Sequence, residues 1–332
     1  MSSSFSLKIL GTASAVPVIG RHQSAQVLDV RGRFFLIDCG EGVQHQLFRF
    51  KVPLMKIEAI CISHIHGDHV FGLFGLLSTF SMEGRQAPLD IYAPGNFGPI
   101  LKFYLSYYGE GLGYEIRFHQ VACKDVQVIF GAKSFEILAF PLKHRLDTFG
   151  YMFREKMPQM NIRKEALAKY GFTLAEIGTL KRGEDLLRPA GPDEGADFMN
   201  GFTRHSGTDN DLVITNAEAA YRPYEPRSYA YVSDTAPFPQ LASWVKGVDL
   251  LYHESTYLAE FAEKALARFH STTLDAARCA LEAGAGKLVI AHYSSSNQNP
   301  ALYQAEARTI FPETYAANDG DVFEIPEKKT YL

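Results

Sequence analysis

The chain has 332 residues, 46% of them hydrophobic, which is enough apolar content for a sizeable core and too much for a disordered polymer. Its formal net charge of −4 excludes nucleic-acid binding by bulk basic charge, so a polyanion would have to be held by a local patch or by metal ions. No run approaches the ~20 apolar residues of a membrane span, the first ten residues lack a secretory pattern, and Cys39, Cys61, Cys123 and Cys279 form no C-x-x-C pair. A cytoplasmic protein with free thiols and no membrane association is expected.

Along the chain, Phe5–Leu10 alternates as a strand ending at Gly11. Ala25–Val30 and Arg33–Ile37 flank Arg31-Gly32 as a hairpin. Ala59–Ile62 is a short strand entering a histidine-rich loop, after which His69–Phe80 is apolar on most sides and suits a buried helix. Leu89–Tyr92, Glu115–His119, Gln127–Phe130 and Ser134–Phe140 read as strands. From Arg154 to Arg188 eight basic residues stand against five acidic ones, with short helices expected around Ile162–Tyr170 and Thr173–Leu180. Pro189–Asp211, rich in Gly, Pro, Asp and Asn, reads as a loop. Ser228–Val232, Asp249–Tyr252 and Lys287–Ala291 are strands, and Thr273–Ala283 and Ala301–Phe311 are helices. Grouped strands with helices between and after them put the chain in the α/β class, as one domain over 1–332 with 154–211 inserted.

Ser63-His64-Ile65-His66-Gly67-Asp68-His69 packs three histidines and an aspartate into six residues directly after a strand. Imidazole and carboxylate are the usual ligands of hydrolytic zinc. Such a loop can serve two metals, with His64 and His66 on one and Asp68 and His69 on the other. His144, Asp234 and His292 each follow an apolar run where the chain leaves a sheet, and Asp234 is the natural bridging carboxylate. Taken singly, Asp234 would read as a turn or helix cap, and the two histidines as ordinary surface or core residues. The cluster gives them weight.

These residues resemble the ribonuclease Z family of the metallo-β-lactamase superfamily. The likeness rests on Leu10-Gly11-Thr12-Ala13-Ser14-Ala15-Val16-Pro17, Ile37-Asp38-Cys39-Gly40-Glu41-Gly42, His64–His69, Ser233-Asp234-Thr235, His253-Glu254-Ser255-Thr256, His270-Ser271-Thr272 and Ala291-His292-Tyr293-Ser294, in that order. It implies a four-layer αβ/βα sandwich with a protruding basic arm and two divalent metal ions, zinc foremost. It implies His64, His66 and His144 on one metal, Asp68, His69 and His292 on the other, and Asp234 between them. It further implies precursor tRNA as substrate, a homodimer, and a role for His270 beside the leaving group. The chain departs from the family pattern at Ser233, where a glycine is common, at Ser294-Ser295-Ser296-Asn297, where an arginine is usual, and at Thr173–Gly178, where the arm often carries Gly-Pro.

In the chemistry expected, two metals acidify a water and polarise the phosphate, Asp68 orients or deprotonates that water, and His270 is the general acid. Asp38, His253 and Glu254 are expected to brace the ligands from behind. Lys164, Lys169, Lys181 and Arg182 are the candidate RNA contacts of the arm. The competing readings are a small-molecule phosphodiesterase of the same fold, for example for cyclic nucleotides, and a non-catalytic binding protein.

Overall fold

The computed structural model describes residues 4–188, 212–297 and 299–330, so most of the loop expected over Pro189–Asp211 lies outside the described residues. The chain divides into two compact units, residues 1–155 with 227–326, and residues 156–226 with 327–332.

The first unit is built on two seven-stranded sheets. One runs in the order Val322–Glu324, Phe5–Gly11, Ala25–Val30, Arg33–Ile37, Ile57–Cys61, Leu89–Pro94, Ile116–Val121. Its first four strands pair antiparallel and its last four parallel, with Arg33–Ile37 in both sets. The other runs Thr314–Ala316, Lys287–Ala291, Leu250–Glu254, Ser228–Val232, Phe149–Glu155, Phe135–Pro141, Gln127–Gly131, and likewise joins a parallel set to an antiparallel one.

Burial gives the layering. Phe5, Leu7, Ile9, Leu28 and Phe35 of the first sheet share one core with Ile137, Tyr151, Phe153, Tyr229 and Tyr231 of the second. The other face of the first sheet packs Leu36, Ile60 and Ile91 against Val43, Leu47, Leu73, Leu76, Phe80, Phe97 and Leu101 from the helices Val43–Arg49, Gly67–Met82 and Phe97–Tyr108. Ala276, Ala277 and Ala280 of the helix Thr273–Ala283, with Tyr303 and Ala307 of Pro300–Arg308, cover the second sheet. The order is therefore helix, sheet, sheet, helix, which is the sandwich the motifs implied. The second unit has a small core of its own, made by Ala166, Tyr170, Phe172, Leu180, Leu186, Ile214 and Ala219.

Most expected elements are present within a residue or two. Several short elements were not anticipated from the sequence, among them the edge strands Thr314–Ala316 and Val322–Glu324 and the helix Ala262–Ala267, and three others have clear physical reasons. Phe149–Glu155 is a strand with six of seven residues buried, so it shows no polar alternation. Phe97–Tyr108 is a helix despite Gly98 and Pro99, because Pro99 falls in the first turn, where an N–H needs no intrahelical partner. Val43–Arg49 is too short for its period to register.

The helix Gly67–Met82 lies unusually close to the loop after Ile37. Cys39 N donates to His69 O at 2.7 Å and Gly72 N donates to Cys39 O at 2.9 Å. A Cβ on Gly72 would stand 2.1 Å from the Gly40 carbonyl oxygen. Gly72→Ala is therefore expected to lower stability by about 1–3 kcal/mol, seen as an earlier urea midpoint. Gly75→Ala, whose Cβ would meet only the amide end of Gln44, should shift the midpoint much less.

Candidate metal centre

The ligand-type residues collect where strands end. His64, His66, Asp68 and His69 follow the strand Ile57–Cys61, and His144 follows Phe135–Pro141. Asp234 follows Ser228–Val232, and His292 follows Lys287–Ala291. Carboxyl ends of parallel strands are where open α/β sheets present their ligand sites. The two sheets are tied at this edge, because Phe149 N donates to Ser63 O at 3.0 Å and Tyr151 Oη donates to Ile62 O at 2.7 Å.

Two donor sets share Asp234. In the first, His69 Nε2 lies 3.4 Å from Asp68 Oδ2 and 3.6 Å from Asp234 Oδ1. His292 Nε2 lies 3.3 Å from the same Asp68 oxygen and 3.4 Å from the same Asp234 oxygen. Ligands about 2.0–2.2 Å from a tetrahedral zinc stand about 3.3–3.6 Å from one another. The second set is less regular. His66 Nδ1 lies 2.9 Å from His64 Nε2 and 3.3 Å from His144 Nε2, and Asp234 Oδ2 lies 3.6 Å and 4.0 Å from the same two nitrogens. Both groupings satisfy the proximity a metal needs.

Polar satisfaction supports the same reading. His69 Nε2 and Asp234 Oδ1 are buried without a hydrogen-bond partner among the described residues. Such atoms are costly unless something is coordinated. The far sides of four of the five rings, all but His66, are engaged. His69 Nδ1 donates to Asp38 Oδ2 at 2.7 Å, His144 Nδ1 to Phe269 O at 2.9 Å, His64 Nδ1 to Ser63 Oγ at 3.0 Å and His292 Nδ1 to Thr256 Oγ1 at 2.8 Å. A donating Nδ1 leaves Nε2 with its lone pair facing the centre, as a metal ligand requires.

The carboxylates demand positive charge here. Burial works against a proton on His69, but Asp68, Asp38 and Asp234 outweigh it and hold its pKa well above the usual value. Burial would raise the Asp68 carboxyl, yet His69 and His292 hold it far below the usual range. Burial, with His69, His144 and His66 nearby, pushes His64 well down, so the rings cannot all be satisfied by protons.

His270 sits beside the second set. Its Nδ1 donates to Glu254 Oε1 at 3.1 Å and lies 3.9 Å from Asp234 Oδ2. Burial disfavours its charge, but Glu254 and Asp234 raise its pKa to about 9. The helix behind it is capped by Thr272, with a reciprocal contact from Asp275, so His270 is not consumed as a cap.

Glu254 is fully buried, and its two oxygens accept from Thr235 N, Thr256 N, Thr256 Oγ1 and Ser271 N as well as His270. His253 is not brought to the cluster. Its Nδ1 donates to the Glu254 main-chain oxygen at 2.6 Å, and it lines a separate pocket with Pro237, Phe238 and Cys279. The metal cluster itself opens into a cavity of about 860 Å³ lined by His66, Asp68, His144, Asp234, His270 and His292.

Asp38 and Glu254 stand behind the donor sets as the sequence led one to expect, but the hydroxyls that fix Asp38 were missed by sequence reasoning. Tyr231 Oη donates to Asp38 Oδ2 at 2.5 Å, and Ser63 reaches Asp38 through both N and Oγ. Ser233, where the family pattern carries glycine, donates from Oγ to Ser63 Oγ at 2.9 Å. A buried tyrosine needs a partner for its hydroxyl, and that was the available signal. Of the arm cations, which belong to the second unit, Lys169 pairs with Glu218 at 3.2 Å and Arg182 with Glu184 at 2.7 Å. Lys164 and Lys181 are exposed.

Comparisons with known proteins follow the same lines. A family model described as "Anti-Pycsar protein Apyc1" matches residues 5–105. The chain is 35% identical over 315 residues to ribonuclease Z of Bacteroides fragilis, covering 95% of this chain and 97% of that protein. Human tRNase Z, short form, has a similar fold, with a TM-score of 0.66 at 23% identity over 97% of this chain and 99% of that one. A metallo-β-lactamase-fold protein of Bacillus subtilis gives 0.64 at 19% identity over 96% and 99%.

Asp38→Asn keeps the shape of the side chain and removes its charge. It is expected to weaken metal retention by about 10- to 100-fold, read by competition with a coloured divalent-metal chelator. Retention equal to the parent protein would show that the orientation of His69 does not depend on Asp38.

Proposed function

The chain belongs to the ribonuclease Z family, and from that premise we propose that its histidine–aspartate centre is where the 3′ trailer of precursor tRNA is cut away. The activity is phosphodiester hydrolysis by a metal-dependent endoribonuclease. The observation that carries the assignment of the centre is the pair of donor sets meeting at Asp234.

In this reading His64, His66 and His144 would hold one divalent ion, Asp68, His69 and His292 the other, and Asp234 would be shared between them. Zinc is the metal we favour, because the donors are imidazole and carboxylate and the separations in the Asp68 set fit a tetrahedral ion. Such ions supply Lewis acidity towards a phosphate and acidify water. Asp68, placed at the cavity wall, orients the attacking water. His270, held protonated against Glu254, donates its proton to the departing oxygen. Glu254 fixes the ring that does so, and Asp38 fixes His69.

We assign the basic excursion 154–211 to gripping the body of the RNA. Exposed Lys164 and Lys181 can meet phosphates directly, whereas Lys169 and Arg182 would first exchange Glu218 and Glu184 for them. A homodimer fits the exposed apolar strip Ile100, Phe103 and Tyr107 on the helix Phe97–Tyr108. No helix among the described residues is long and apolar enough to cross a membrane. Four free cysteines suit the reducing cytoplasm, where we place the protein.

The test is cleavage of a precursor tRNA carrying a 3′ trailer. Cutting at the junction is expected, lost by at least a thousandfold in His66→Ala and weakened when the arm is deleted. An intact precursor beside fast hydrolysis of a small phosphodiester, by protein with full metal occupancy, would remove the tRNA assignment and leave a small-substrate enzyme.

A further inference from the structure

Apart from the candidate metal ligands and His270, the charged side chains lining the metal-site cavity are three exposed cations, Arg145, Lys264 and Arg268, and one carboxylate, Glu41. None of the three cations forms an ion pair among the described residues. Elsewhere on the same unit Arg33 pairs with Glu58, Arg117 with Glu115 and Arg154 with Glu136.

Neutral contacts hold the side chains of Arg145 and Lys264 in place. Arg145 Nη2 donates to Ala267 O at 3.1 Å, and its guanidinium lies 5.9 Å from the centre of the Phe269 ring. Lys264 Nζ lies 5.1 Å from the centre of the buried Tyr257 ring, which is itself 6.1 Å from His270. Arg268 N donates to Lys264 O at 3.2 Å, so these two side chains leave the same short helix one turn apart. The next residue, Phe269, has φ of 59°, a left-handed conformation rare for an aromatic, and its carbonyl oxygen is the one that accepts from His144. The turn that orients a metal ligand therefore also presents the cations.

Three unpaired cations beside a centre that itself collects divalent ions repel one another and the metals. That arrangement becomes favourable only when an anion of several charges lies across it. The three cations line the same cavity of about 860 Å³ as the candidate metal ligands.

We propose that Arg145, Lys264 and Arg268 form a phosphate-binding rim for the backbone of single-stranded RNA at the metal-site cavity. Lys264 packs on Tyr257, whose ring lies 6.1 Å from His270, and Arg145 packs on Phe269, so the cations stand beside the site and not apart from it. The inference rests on the phosphodiesterase reading above and adds the residues that hold the strand's phosphates.

The test uses the full chain with its metals, in Lys264→Gln, Arg268→Gln and the double variant, after metal content and unfolding midpoint are matched to the parent. Binding of a fluorescent, phosphorothioate-linked single-stranded RNA is followed by anisotropy against salt. Each substitution is expected to weaken binding by about threefold to fivefold at low salt and to flatten the log–log salt slope by about 0.7. In precursor cleavage the loss should fall mainly on KM and exceed any loss on a small aryl phosphodiester by the same factor. Unchanged affinity and slope in the double variant would overturn the rim, as would a parent protein that binds no RNA. A parent that binds the strand through these cations yet leaves precursor tRNA uncut would keep the rim and remove the tRNA assignment instead.

Discussion

A single buried carboxylate holds the metal edge together. Asp38 is fully buried, and its two oxygens accept from Ser63 N, Ser63 Oγ, Tyr231 Oη and His69 Nδ1. A charge in that position is tolerable only with every lone pair engaged. Its donors come from both sheets, since Ser63 follows the strand Ile57–Cys61 of the first and Tyr231 lies in Ser228–Val232 of the second. Asp38 takes φ of 55° and His292 takes 68°, so two residues of the centre sit in a conformation that side chains avoid. The surrounding hydrogen bonds determine both positions strongly enough to keep them there.

Glu254 plays the matching part on the second sheet. It reaches His270 directly and His292 through Thr256, as Asp38 reaches His69 directly and His64 through Ser63. Each donor set is therefore oriented by buried anions that do not themselves enter it. Water could not do this as well, because a ring fixed by a charge-assisted bond loses its rotational freedom before a metal arrives. His144 is the exception. It is held by a main-chain carbonyl, and that is why the strained turn at Phe269 matters.

What the sequence disclosed follows the same division. The candidate ligands were legible because metal chemistry restricts residue type and strand ends restrict position, so His64, His66, Asp68, His69, His144, Asp234 and His292 stand out together, and the fold gathers them at one edge. Glu254 and Asp38 were legible only through neighbouring motifs. Tyr231, Ser63 and Ser233 were not, since hydroxyls inside or beside strands are ordinary until the fold brings them to one carboxylate. Phe149–Glu155 was lost for a related reason. A strand buried on both faces shows no alternation, and Gly150 within it breaks the apolar run. His253 shows the opposite error, a ligand-type residue beside a motif whose backbone turns it away from the centre.

Charge is where counting residues misleads most. The stretch Arg154–Arg188 has a basic excess, yet Arg154, Lys169, Arg182 and Arg188 all have acidic partners in the fold. Exposed pairs of this kind contribute little to stability and must be broken before an RNA phosphate can use them. The rim at Arg145, Lys264 and Arg268 carries fewer cations, but they are unpaired and face the cavity. A protein with net charge −4 that acts on a polyanion has to concentrate positive potential where the reaction occurs. Arg145, Lys264 and Arg268 line the same cavity as the candidate metal donors and His270, so positive potential is concentrated at that cavity even though the whole chain is acidic.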